Sequence, residues 1–194
     1  MRRNSLLMAK LAAILSHHDC VDEARAIYRE VLSDPVLPRG CVARRQAADG
    51  LAYLALYHDR QDLLAEAKVT ITAAVQESPD EITLRVTLGG VLCEVGDVES
   101  AEAVLTDLLA RSRHTVDRAI ASAYLAVIKA RSGDPNAAMQ YADTAQASGG
   151  EHRLVRRLLD AASSHAGDDA AHPFGAQVGT KEAPCALNGY SQAS

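Results

Sequence analysis

The chain has 194 residues, of which 48 % are hydrophobic and only 4 % aromatic, with no Trp and a formal net charge of −5. That length suits one domain with room for a buried core. A core so poor in rings must be built from Leu, Ala, Val and Ile, which favours close helix packing over a sandwich or barrel. The acidic balance argues against a nucleic-acid or anionic-membrane surface, since both call for clustered Lys and Arg.

Basic residues are dominated by Arg, which together with the Ala excess has the look of a GC-rich bacterial genome. Cys20, Cys41, Cys93 and Cys185 form no Cys-x-x-Cys pair and are irregularly spaced; reduced thiols in a cytoplasmic protein are expected. No apolar run approaches the roughly 18–20 residues that span a bilayer.

At the start of the chain, Arg2 and Arg3 precede Ser5-Leu6-Leu7-Met8-Ala9 in the manner of a signal peptide. Lys10 interrupts the run, however, and no small-residue cleavage site precedes His17-His18-Asp19. The same residues fit the first helix of a repeat. Four segments place a Leu followed by a small residue, then an Ala thirteen positions after that Leu: Leu11 with Ala24, Leu54 with Ala67, Leu88-Gly89 with Ala101, and Leu125 with Ala138. Between the halves lie the turns His18-Asp19-Cys20, Asp59-Arg60-Gln61, Gly96-Asp97 and Gly133-Asp134-Pro135. Small residues at both heights let two antiparallel helices approach closely, and the larger residue one turn on (Tyr28, Ile71, Leu105) plugs the gap toward the next pair. Gly or Asp at the turn reverses the chain.

On these residues the chain resembles the tetratricopeptide repeat family, with four degenerate repeats over about 5–35, 45–79, 82–113 and 119–149. The third matches best. The intervals between the repeat alanines are 43, 34 and 37 residues, the first lengthened by an insertion near Val36 to Arg44 and the last by extra residues around Arg113 to Asp117. The family's Trp-like position holds Met8, Leu51, Arg85 and Ser122, which departs from the pattern. Downstream, Leu154, Val155, Leu158, Leu159 and Ala162 form a helical apolar stripe, read as a capping helix over about 151–166 that completes a repeat domain of residues 1–166. Arg153, Arg156 and Arg157 read as its solvated face. Residues 167–194, rich in Gly, Ala, Ser, Pro and Gln, read as a flexible tail.

The resemblance implies an all-α, right-handed superhelical stack of antiparallel helix pairs whose first helices line a concave face. Carrying the family's inner positions over gives a partner-binding groove of Ala9, Ala13, Ala52, Leu56, Val86, Gly90, Ala123 and Val127, apolar and small in the middle. The cations with which some members grip a chaperone's C-terminal carboxylate are missing there. Such a trough suits an amphipathic helix or apolar segment of a protein partner, and a homodimer is compatible with it. The same residues would instead be buried if they face a neighbouring repeat, or if another helix of the chain fills the trough. Gly89 has a packing role, whereas Gly90 lets a partner backbone approach or has none.

Catalytic and metal-ligating patterns are weak. His17, His18, Asp19 and Cys20 are the densest candidate ligands, but they sit at a hydrated turn; no His-Glu-x-x-His, phosphate loop or nucleophile elbow occurs. The expectation is therefore a non-enzymatic interaction scaffold or adaptor, without cofactor or metal and without nucleic-acid or membrane partner. On size and fold alone the narrower expectation is a bacterial chaperone or assembly factor. The alternative is a regulatory or sensing module that binds a peptide or small ligand.

Overall fold

A computed structural model describes residues 4–168. Among the described residues the chain is all-α, with nine helices, one 3-10 turn and no strand. Eight helices form four hairpins: α1 (Ser5–His17) with α2 (Val21–Ser33), α3 (Val42–Tyr57) with α4 (Leu64–Glu77), α5 (Ile82–Glu94) with α6 (Val98–Arg111), and α7 (Thr115–Arg131) with α8 (Pro135–Gly149). The last helix, α9, is Arg153–Asp168. It runs two residues into the segment expected to be tail; the rest of that segment, with Cys185, lies outside the described residues. No described helix is long and apolar enough to cross a membrane.

The four hairpin turns are built alike. Each closes with a bond from a backbone N–H to the carbonyl five residues earlier: Cys20 to Leu15 at 3.0 Å, Arg60 to Ala55 at 3.0 Å, Asp97 to Leu92 at 2.9 Å and Asp134 to Lys129 at 2.9 Å. The residue before each donor is left-handed, with φ of 58° at Asp19, 54° at Asp59, 83° at Gly96 and 76° at Gly133. A left-handed residue at this point lets the last carbonyls of the helix find donors. Glycine adopts it freely, whereas a residue with a Cβ does so at a cost of roughly 1–2 kcal/mol. Caps fix other ends: Asn4 accepts from the Leu7 N–H at 3.2 Å, and Asp134, followed by Pro135, accepts from Ala137 at 3.0 Å.

The common turn sets a register. Leu11, Leu88 and Leu125 each stand eight residues before the left-handed residue, and Ala24, Ala101 and Ala138 five after it. In the second hairpin a 3-10 turn, Gln61–Leu63, precedes α4. Leu51, not Leu54, therefore stands at the position of the other three leucines. The thirteen-residue spacing from Leu54 to Ala67 includes these extra residues, so the register expected for that helix slips by one turn.

Packing follows the small residues. Ala24, Ala67 and Ala101 are 0 % exposed and Ala138 5 %, and Leu54, Gly89 and Leu125 are buried with them. Leu88 is half-buried. Leu11 is a correction: expected in the interface, it is 48 % exposed. The buried residues of α1 are Ala9, Ala12 and Ser16, and Leu7, Leu11 and Ile14 lie on the face turned from α2 and α3. Among the described residues, α1 touches no other helix that could cover that face.

The first helices α1, α3, α5 and α7 touch in series, and each second helix touches its own first helix and the next hairpin's, except that α8 is followed by α9. The backbones of the second helices do not approach one another. The row of first helices is thus the tight side, and the second helices splay apart. Long side chains bridge the splayed side: Glu66 of α4 receives Arg25 at 2.7 Å and also Arg29, both from α2. The insertion before α3 is an irregular run at residues 34–41, held where Arg44 donates to the carbonyls of Asp34 (2.7 Å) and Leu37 (3.2 Å). Every residue from Ala119 to Ile128 of α7 is buried, because α9 covers the side that its neighbours leave open.

Candidate functional site

The candidate site is the face of the row α1, α3, α5 and α7, and α9 lies on part of it. A helix simply continuing the stack would meet α7 and α8 alone. α9 also touches α3, and its side chains reach the turns of the first two hairpins. Leu154 (1 % exposed), Val155 (0 %), Leu158 (4 %) and Ala162 (5 %) press inward, so the expected stripe is a real buried face. At its edge, Arg153 pairs with Asp19 at 3.5 Å and stacks over the Tyr57 ring at 5.1 Å. Arg157 pairs with Glu94 at 3.4 Å and Asp59 at 3.3 Å. Arg156, facing away, meets only Glu151 of the adjoining turn. Of the three arginines expected on a solvated face, Arg157 is drawn into the seat, while Arg153 and Arg156 stay exposed. Before α9, His152 Nε2 and the Tyr53 hydroxyl share a hydrogen bond at 3.1 Å, within a run of edge and stacked contacts joining His17, Tyr57 and Tyr53.

The residues expected to line an open groove separate into three groups. Ala9 and Ala13 line a hollow of about 260 Å³ between α1 and α3, floored by Asp49, Tyr53 and Tyr57 and free of α9. Leu56 and Val86 line a second cavity, of about 200 Å³, roofed by His152 and Leu154. Val127 lines a third, of about 220 Å³, beside Tyr124, Arg157 and Ala161. Ala52, Gly90 and Ala123 are buried in helix packing. α9 thus lies along one stretch of the expected groove and leaves the hollow between α1 and α3 free of it. The register slip explains Ala52: measured from the turn, it occupies the place of Gly89, a helix-contact position. The same measure turns Gln46, Asp49, Tyr53 and Leu56 inward from α3, and these are residues that line the cavities. Counting back from the left-handed Asp59 is the signal that finds Gln46 and Tyr53; Asp49 and Leu56 are inner positions in either register.

Gly90 receives a specific reason. A Cβ there would lie 2.8 Å from Tyr124 Cε2 and 2.9 Å from Leu56 Cδ1, so the position is kept bare for this chain's own Tyr124 ring. Gly89 is likewise pressed by Leu105, and Gly50 by Tyr28.

The electrostatics of the covered stretch are acidic. Asp49 accepts a hydrogen bond from the Thr87 hydroxyl at 2.6 Å, and no cation pairs with it among the described residues. Burial pushes its carboxyl up to about 6, against the Thr87 hydrogen bond and with help from Asp117 and Glu81. Burial also raises Asp117, whose partner is His114 at 3.6 Å. His152 is held below the ordinary imidazole value, first by burial and then by His17. Burial pushes the Cys93 thiol up to about 11, so it stays protonated at neutral pH and is a poor nucleophile. Walls of Leu, Val and Ile around two carboxylates and a neutral imidazole suit a cation with an apolar body.

Cys20, Cys41 and Cys93 are free thiols. No cluster of three His, Cys, Asp or Glu among the described residues is arranged to hold a metal ion; His58 turns toward Asp19 at 3.3 Å and Ser16 at 3.1 Å instead. In comparison with known proteins, no protein-family model and no curated protein matches this chain.

Proposed function

We propose that this protein is a non-enzymatic protein-interaction scaffold, a tetratricopeptide-like right-handed superhelix that captures a partner segment on its inner wall. The observation that carries this reading is α9 itself: the wall seats an amphipathic helix through a buried apolar face and flanking ion pairs. The serial contacts of the first helices and the four matching turns support the superhelical part. A role as chaperone or assembly factor is the narrower form, and it rests on size and fold by analogy. Gentle purification from the native cells, with photo-crosslinkers at Ala13, Gln46 and Arg131, is expected to trap one stoichiometric protein. Crosslinks absent there, but abundant at Val69 and Met139 on the second helices, reject the inner wall as the binding surface.

A second reading, a sensing module for a small ligand, is favoured by the cavity with Asp49 and Asp117. Organic ammonium compounds would then raise the melting temperature while matched carboxylates do not. Equal, negligible effects of both series dismiss it.

A further inference from the structure

We infer that the α9 seat is a docking site for a basic amphipathic helix of a partner protein, and that α9 is its exchangeable occupant within the chain. This rests on the reading of the inner wall as a protein-binding surface, and adds the partner's chemistry and what it must displace.

The turns give the first argument. Four equivalent positions are left-handed, and two hold glycine, the residue suited to that conformation, while two hold Asp19 and Asp59. Those two carboxylates are the ones that meet Arg153 and Arg157. Aspartate is one of the few side-chain-bearing residues that takes this conformation readily, and here it sets a carboxylate at the end of each of the two turns that α9 reaches, with Glu94 a third at 3.4 Å from Arg157.

The fit of α9 gives the second. Clefts of about 200 Å³ and 220 Å³, both open to solvent, flank it, the first walled by its Leu154 and the second by its Leu158 and Ala161. Among the described residues, four buried side-chain polar atoms lack a hydrogen-bond partner, and three are at this seat: Tyr124 Oη, His152 Nδ1 and Arg157 Nη1. The last has only its ion pair to Asp59, at 3.3 Å. Permanent core layers are close-packed and satisfy their buried polar groups. By contrast, this seat is charge-complementary but leaves clefts beside the helix and buried polar atoms without partners.

Together these specify the occupant. It is a helix with apolar residues at i, i+1, i+4 and i+8 and Arg at i−1 and i+3, as α9 has, but with bulkier side chains where Leu154 and Ala161 stand. A swapped α9 from a second copy would leave the same clefts, so exchange between copies gains nothing. A foreign helix must outcompete an attached one at millimolar effective concentration, and the unfilled space is where that advantage is available.

The test uses the full chain and three labelled synthetic helices. One has the sequence of residues 151–165; the second adds Leu154→Phe and Ala161→Leu; the third adds Arg153→Glu and Arg157→Glu to the second. Fluorescence anisotropy is expected to give at least tenfold tighter binding for the second than for either of the others. Its binding should also speed amide exchange in the chain's own residues 153–165 at least tenfold, with α7 unchanged. The double variant Asp19→Gly, Asp59→Gly keeps the turns, because glycine suits them, and should weaken the second peptide at least fivefold while circular dichroism stays helical. The inference is overturned if the bulky peptide binds no better than the first, if α9 stays protected with it bound, or if a dimer with exchanged α9 forms instead. Failure here with native crosslinks still on the inner wall leaves the scaffold reading standing; displacement without any native protein on that wall removes the scaffold reading alone.

Discussion

At the residue scale, Asp49 is the most informative side chain. Its folded carboxyl titrates near 6 against an ordinary value of 3.8, so the folded chain binds its proton more tightly than the unfolded one. The contribution to stability is then fully present below pH 3.8 and is lost as pH rises through 6. Asp49→Asn keeps an acceptor for the Thr87 hydroxyl and removes the uncompensated charge. It is expected to stabilise the protein by about 1–3 kcal/mol at pH 7, with the gain vanishing near pH 4, as chemical denaturation at the two pH values can check. Gly90 argues from shape instead. Gly90→Ala would gain roughly 1 kcal/mol of helix propensity, but the new methyl meets the buried Tyr124 ring. A net loss of about 1–3 kcal/mol is expected, and adding Tyr124→Leu should recover part of it.

At the scale of the element, α9 is the most strongly amphipathic helix of the chain, and its two faces should respond differently. Leu158 is 4 % exposed, so Leu158→Ala is expected to cost about 2–4 kcal/mol in the opening of α9. Arg156→Ala on the outer face should stay within about 0.5 kcal/mol. Amide exchange resolved along residues 153–165 measures both. The second helices depend on a different device. Glu66 holds two arginines of α2 across a gap that backbones do not close, and all three side chains are partly solvated. Glu66→Gln should therefore cost only about 0.5–1.5 kcal/mol, and less in high salt. A salt-independent loss, measured by denaturation, would contradict the electrostatic account.

Over the whole molecule, contacts run from each hairpin to the next, so stability is expected to be graded along the chain rather than uniform. The fourth hairpin is the best protected, since α7 is enclosed by α6, α8 and α9 as well as α5. The first is the weakest, because Leu7 (64 % exposed), Leu11 (48 %) and Ile14 (56 %) face away from every described helix. Native-state hydrogen exchange should find slowest exchange in α7 and early opening of α1 and α2. Equal opening energies in both would reject a serial stack in favour of one cooperative core.

The amino-acid sequence by itself determined the helical class, the four paired segments and the alanines at their crossings. These depend on side-chain size and period, which are local properties. It left the inner wall in doubt for two physical reasons. A 3-10 turn at Gln61–Leu63 shifts the second hairpin's register by one turn, so the family's inner positions fall on Ala52 and pass over Gln46 and Tyr53, while Asp49 and Leu56 face the same side in either register. And nothing in the stripe of α9 says whether it stacks beyond α8 or folds back over α3. Only the tertiary structure decided that, because the apolar wall that buries its stripe and the carboxylates of Asp19, Asp59 and Glu94, 63 or more residues from the arginines they meet, come together only after the hairpins have stacked.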